Sequence, residues 1–159
     1  LHARVEQYGG SAAPSWLVQA ALRLLRRNLD AFGAIDCAEK RRELTHARTR
    51  TVAVVRGRTL LAYASYRLVV EETVRVAYLY ELHVQCELQR RGIGRALLDG
   101  IEHIAASAAL TEVRLTADID NPAAREDKDH PGFYMRAGFT PVYVCNNSLQ
   151  KVWRKSLQV

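Results

Sequence analysis

Residues 78–98 read YLYELHVQCELQRRGIGRALL. An alternating, largely apolar strand runs into a turn spaced by Gly92 and Gly94, and the turn opens straight into a helix. Gln89, Arg90, Arg91, Gly92, Ile93 and Gly94 set two small residues and two cations at that junction. Backbone N–H groups at a helix start lack intrahelical partners and carry partial positive charge, so the junction suits a phosphate. Glycine lets a bulky anion approach the backbone, and arginine adds charge. The segment is therefore expected to bind a phosphorylated cofactor.

Two common phosphate-binding patterns are excluded. A dinucleotide fingerprint needs a third glycine where Leu97 stands, and a nucleotide P-loop needs Gly-Lys followed by Ser or Thr. What remains is QRRGIG after a long strand, followed downstream by FYMRAGF at 133–139.

The 159 residues are expected to form a single domain over 1–159 with a core of its own. Hydrophobic residues make up 48% and charged residues 25%, as in an ordinary globular protein. No apolar run approaches a membrane span and no secretory pattern is read at the start, so no membrane partner and an intracellular setting (cytoplasm or nucleus) are expected. Cys37, Cys86 and Cys145 are odd in number and form no CxxC pair, which fits a reduced compartment and no bound metal. Lys40, Lys128, Lys151 and Lys155 are the only lysines, so arginine dominates a net charge of +6. The arginines are dispersed and lack interleaved aromatics, which favours a solvated surface over a nucleic-acid groove.

Along the chain, 1–8 reads as a short edge strand and Gly9-Gly10-Ser11 as a turn. Pro14 suits the first turn of a helix whose apolar residues recur at helical spacing over 16–29. Gly33 breaks that helix, and Asp36 can cap a second, charged one running to about residue 47. Strands are expected at 51–55, 60–70 and 74–84, the first two joined by Arg56-Gly57-Arg58. A helix at 92–107, a strand at 112–117, a short helix at 133–137 capped by Gly138, and strands at 139–144 and 149–156 complete the order. That order suits a mixed α/β sheet.

QRRGIG and FYMRAGF together resemble the GNAT (GCN5-related N-acetyltransferase) superfamily. The resemblance rests on Gln89, Gly92 and Gly94 in the first segment and on Phe133, Tyr134, Gly138 and Phe139 in the second. It implies the GNAT fold, a mixed, largely antiparallel sheet of six to seven strands with about four helices. It also implies acetyl-coenzyme A as co-substrate. The strand end at His83, Val84 and Gln85 would meet the pantetheine arm through backbone. Gln89, Arg90, Arg91, Gly92, Ile93, Gly94, Arg95 and Ala96 would hold the pyrophosphate.

Residues 78–98, with AEKRREL at 38–44, AYASYRL at 62–68 and LTADIDN at 115–121, are further similar to the N-terminal acetyltransferase D (NatD) family, which modifies histone amino termini. That likeness implies Glu81 as general base, Tyr80 as a further catalytic residue, and Tyr78 and Tyr80 as walls of the substrate site. It places Thr116 near the peptide, Asn121 near the cofactor and Glu71 on the substrate peptide, with Val69 at the companion position of Glu71. The tryptophan loop of that family corresponds to AFGAID at 31–36, where Phe32 is the only aromatic. The implied partner is a protein amino terminus, with histone or ribosome association, and the implied state is a monomer.

The chemistry stands on its own terms. An α-ammonium group has an ordinary pKa of about 7.7–8.0, so a carboxylate such as Glu81, directly or through water, suffices to take its proton. The amine then attacks a thioester, backbone N–H groups polarise the developing oxyanion, and Tyr134 either protonates the leaving thiolate or only walls the pocket. His83 competes with Glu81 as base, because alternation puts both on the face opposite Tyr78 and Tyr80 unless a bulge intervenes. Cys86 has no histidine at an informative spacing, which disfavours a cysteine nucleophile. Asp127, Asp129 and His130 have metal-binding composition, but Pro131 and Gly132 mark a solvated loop. The loop at 125–132 reads as an insertion between Asn121 and Tyr134. A carboxylate facing phosphates is unfavourable, so Asn121 rather than Asp127 is expected to keep the cofactor contact. Rival functions are acetylation of a lysine side chain or a small amine, and a catalytically idle basic domain binding RNA or chromatin.

Overall fold

The computed structural model describes residues 2–32, 35–144 and 149–158. Gly33, expected to break the first helix, and Cys145 lie outside the described residues. Among the described residues seven strands run in the order β1-β2-β3-β4-β5-β7-β6. They are β1 (Arg4–Gly9), β2 (Arg50–Arg56), β3 (Thr59–Glu71), β4 (Val74–Val84), β5 (Glu112–Asp118), β6 (Thr140–Val144) and β7 (Gln150–Ser156). Among the described residues four α-helices accompany them: α1 (Ser15–Leu29), α2 (Cys37–Thr45), α3 (Ile93–Ser107) and α4 (Phe133–Arg136). Pairing is antiparallel for β1/β2, β2/β3, β5/β7 and β6/β7 and parallel for β4/β5, where Ala77–Leu79 face Val113–Leu115. This is the mixed, largely antiparallel sheet that the sequence implied.

The chain forms two compact units, one of residues 1–67 and 80–100 and the other of 68–79 and 101–159. The first is built on α1. Leu17, Val18, Ala21, Leu22 and Leu24 share a face and bury against Leu44 of α2 and Ala53, Val55, Leu60 and Tyr63 of β2 and β3. Each large side chain so buried contributes roughly 1.5–3 kcal/mol. Pro14 stands one residue outside the helix, where its carbonyl accepts the N–H groups of Leu17 and Val18, so its fixed φ serves the cap rather than the first turn. Asp36 caps α2 as its chemistry predicts, its carboxylate accepting from Ala38 N and Glu39 N. That helix stops at Thr45, short of the expected 47, because the Thr49 hydroxyl and the Arg67 guanidinium both donate to the Glu43 carbonyl near its end.

In the second unit β5 carries Val113 and Leu115, and β7 carries Val152 and Trp153, into the interior. Tyr134 of α4 packs edge-on to Phe133 and Phe139 and is tilted against Trp153. The β3–β4 connection turns on Glu72 and Thr73, both at positive φ, which gives a tight two-residue hairpin.

Candidate active site

Alternation along β4 sorts its side chains. Ala77, Leu79, Glu81 and His83 are buried, whereas Tyr78, Tyr80 and Leu82 are half-buried. Glu81 and His83, 8% and 7% exposed, are the ionisable pair at the heart of the first unit. His83 Nε2 meets Glu81 Oε2 at 2.8 Å, and Lys40 Nζ of α2 meets Glu81 Oε1 at 2.9 Å. Lys40 also reaches Glu43 Oε2 at 2.9 Å. Both Glu81 oxygens are therefore engaged by donors.

Burial alone would push the Glu81 carboxyl upward, but the hydrogen bond and charge of His83, joined by Lys40, hold it below its ordinary value. Lys40 mirrors this. Burial works against its ammonium, yet the Glu81 charge and hydrogen bond, with Glu43 beside it, leave its pKa raised. The result is a buried carboxylate that stays ionised.

Tyr63 of β3 lies alongside, its ring centroid 5.5 Å from that of His83. Its hydroxyl is fully enclosed and has no hydrogen-bond partner among the described residues. Burial, then the nearby Glu81 charge, raise its pKa well above the usual phenol range. Tyr80 lies under the Arg67 guanidinium at 4.5 Å.

At the end of β4 the chain is tied down by side chains. Asn28 Nδ2 of α1 donates to the Val84 carbonyl at 3.0 Å, and Gln89 Nε2 donates to the same carbonyl at 3.1 Å. Gln85 donates from its backbone N–H to Leu61 O at 2.9 Å and from its side chain to Leu60 O at 2.7 Å. The turn that follows is shaped to receive an anion. Arg90 (φ +62°) and Gly92 (φ +82°) both adopt left-handed backbone, and Arg90, Arg91 and Gly92 are exposed. The first intrahelical bond of α3 runs from Ala96 N to Gly92 O at 2.9 Å, so the N–H groups ahead of it have no partner within the helix. Arg95 is ion-paired to Asp99 at 2.7 Å. Exposed arginines, left-handed backbone and a fifteen-residue helix start fit the pyrophosphate of a coenzyme.

The remaining expected site residues belong to the second unit. Tyr78 OH is hydrogen-bonded to Thr116 Oγ1, so these two are brought together. Glu71 ends β3. The Asn121 carboxamide accepts from Ala123 N at 2.9 Å and so caps the single turn at Pro122–Ala124. The insertion leaves and returns at one neck, where Gly132 N donates to Arg125 O at 2.9 Å. Within it Asp127 accepts from the N–H groups of Asp129 and His130, a self-contained turn. No group of metal-ligating side chains occurs among the described residues.

Sequence reading missed Lys40 and Asn28. Lys40 lies four residues before the buried Leu44, and Asn28 four after the buried Leu24, so each falls on an apolar helix face. A polar residue on such a face was the available signal.

Residues 18–139 match the profile of the family described as Acetyltransferase (GNAT) family. Among solved structures, a GNAT-family protein from Desulfovibrio desulfuricans superposes with a TM-score of 0.77 at 16% identity, covering 99% of this chain and 100% of that one. The aminoglycoside 6'-N-acetyltransferase from Enterococcus faecium gives 0.75 at 18% identity, over 98% of each chain. The PaiA N-acetyltransferase from Thermoplasma acidophilum, in complex with coenzyme A, gives 0.66 at 16% identity, over 98% of this chain and 99% of that one. At such identities the likeness is one of fold. No curated protein matches the sequence. Among the described residues no helix is long and apolar enough to cross a membrane.

Proposed function

This chain belongs to the GNAT family of acetyltransferases, and on that premise we propose that it moves acetyl from acetyl-coenzyme A to the α-amino group of a peptide or protein. The observation that carries the choice of acceptor is the state of Glu81, a buried carboxylate held ionised by His83 and Lys40. A carboxylate of depressed pKa is a weak base, so it serves an acceptor that gives up its proton readily. An α-ammonium group does so near neutrality, whereas a lysine side chain starts about 2.5 pKa units higher, which is about 3 kcal/mol more to supply.

In this reading the acceptor amine passes its proton toward Glu81, directly or through water, and attacks the thioester carbonyl. The N–C bond forms, the C–S bond breaks, Tyr134 protonates the departing thiolate, and the second proton lost from the acceptor nitrogen restores Tyr134. The turn from Gln89 to Ala96 orients the coenzyme through backbone N–H groups and arginine charge, while His83, Val84 and Gln85 line the strand end along which its arm lies. Tyr78, Tyr80, Thr116 and Glu71 line the acceptor path, and Asn121 reaches the coenzyme. The resemblance of residues 78–98 to the N-terminal acetyltransferase D family supports the same acceptor class.

A second reading, a small-molecule amine acceptor, is favoured by one finding, the fold likeness to the Enterococcus faecium aminoglycoside enzyme. The purified protein with acetyl-coenzyme A would be offered free amino-terminal peptides beginning with Ser or Ala, terminally blocked lysine peptides, and aminoglycosides, with free thiol as readout. Turnover confined to free amino termini is the expected result. Turnover of aminoglycosides or lysine peptides alone would replace the α-amine reading.

A further inference from the structure

We propose that Lys40 is a positioning residue for this reaction, its ammonium clamping the Glu81 carboxylate in one orientation from helix α2. The proposal rests on the reading in which Glu81 receives the acceptor proton. It begins from a geometric fact: Lys40 Nζ sits 2.9 Å from Glu81 Oε1 and 2.9 Å from Glu43 Oε2, bridging two carboxylates on different elements. Glu81 Oε2 is taken by His83, so the carboxylate is fixed at both oxygens.

The groups facing Glu81 make the electrostatic consequence explicit. Helix α2 presents Lys40 and Glu43, and β4 itself presents His83. Strand β3 presents the uncharged Tyr63, while its Arg67 is engaged elsewhere, donating to the Glu43 backbone carbonyl and to Thr49 and lying over the Tyr80 ring. Helix α1 presents the neutral Asn28, which touches His83 at 3.5 Å. Lys40 is thus the cation shared between the two carboxylates. Without it, Glu81 and Glu43 would be left facing each other, and Glu81 would hold its proton to higher pH.

Stability alone is a weak reason for such a pair. Desolvation of the buried Glu81 carboxylate and the half-buried Lys40 ammonium consumes much of their attraction, and apolar replacements of similar volume are often no less stable. What the pair supplies is an oriented, ionised carboxylate, with α2 as its mount.

The test compares wild type, Lys40→Met, Lys40→Gln and Lys40→Arg, using whichever amine the wild type acetylates best. Lys40→Met and Lys40→Gln are expected to move the acid limb of kcat/KM set by Glu81 up by about one pH unit, a loss that grows toward roughly tenfold as pH falls below about 5 and vanishes toward neutrality. KM for acetyl-coenzyme A stays unchanged, and Lys40→Arg restores most of the activity. Adding Lys40→Met to Glu81→Gln costs nothing further. A second readout is independent of turnover: the ¹³C titration midpoint of the Glu81 carboxyl rises in Lys40→Met and Lys40→Gln. An unmoved midpoint and pH profile overturn the proposal, as does a pH-independent loss accompanied only by a lower melting temperature. Failure of the underlying reading looks different. Glu81→Gln would then keep wild-type turnover, while the carboxyl midpoint still responds to Lys40.

Discussion

Glu81 Oε2 and His83 Nε2 are hydrogen-bonded at 2.8 Å, two residues apart on one buried face of β4. The choice between a glutamate base and a histidine base thereby becomes a question about a pair. Glu81 is the anion, and His83 is the neighbour that holds one of its oxygens.

Replacing the anion tests its role directly. Glu81→Gln keeps the size and most hydrogen-bonding capacity of the side chain but removes the proposed base. kcat is expected to fall by about 10²-fold or more, with KM for acetyl-coenzyme A unchanged, in steady-state thiol-release assays. Activity within about threefold of wild type would remove Glu81 from the base role.

The same carboxylate imposes a pH dependence on stability. Its folded pKa lies below the ordinary 4.5, because His83 and Lys40 outweigh the opposing effect of burial. Its contribution is therefore fully present above about pH 4.5 and is lost as pH falls toward the depressed folded value. Urea midpoints measured from pH 7 to pH 3 should fall more steeply for wild type than for Glu81→Gln. Parallel curves would contradict this assignment.

Gly92 lies at φ +82°, and nothing stands within 4 Å of an added Cβ, so strain rather than a clash opposes substitution. Gly92→Ala should cost about 1 kcal/mol of stability and raise KM for acetyl-coenzyme A several-fold by pulling the turn out of shape. Isothermal titration with coenzyme A separates the binding loss from any change in kcat.

Helix α3 ends on Ala109 at φ +55°, with Leu110 N bonded to Ala105 O and Ala109 N to Ala106 O, both at 2.9 Å. This is a Schellman closure whose left-handed position carries a Cβ. Ala109→Gly should stabilise the fold by about 1 kcal/mol and raise Tm by a few degrees, read by thermal denaturation.

Tyr134 is 9% exposed and packs against Phe133, Phe139 and Trp153. Tyr134→Phe keeps that packing, so the melting temperature should hold while kcat falls about tenfold or more if its hydroxyl protonates the thiolate. A thiol ester with a better leaving group should recover the loss. Unchanged kcat would reduce Tyr134 to a wall of the pocket.

Much of this was legible because local chemistry and final structure agree. The alternation of β4 predicted its bounds and the shared face of Glu81 and His83. Asp36 capped α2 as its side chain required. QRRGIG marked its own turn, since left-handed backbone at a helix start needs residues like Gly92. The end of α2 was not legible, because Thr49 and Arg67 that engage its last turn come from beyond the helix.

The sequence by itself determined the family, the order of strands and helices, and the glycine-spaced turn ahead of α3, since these follow from periodicity and motifs within a few residues of one another. Tertiary structure alone decided that Lys40 of α2, Asn28 of α1 and Tyr63 of β3 surround the Glu81–His83 pair. Those contacts join residues from 20 (Tyr63 to His83) to 55 (Asn28 to His83) positions apart in the chain. No local periodicity encodes which buried polar groups must meet. Only the packing of α1 and α2 against the sheet brings them together, where low dielectric turns three modest contacts into the control of one carboxylate.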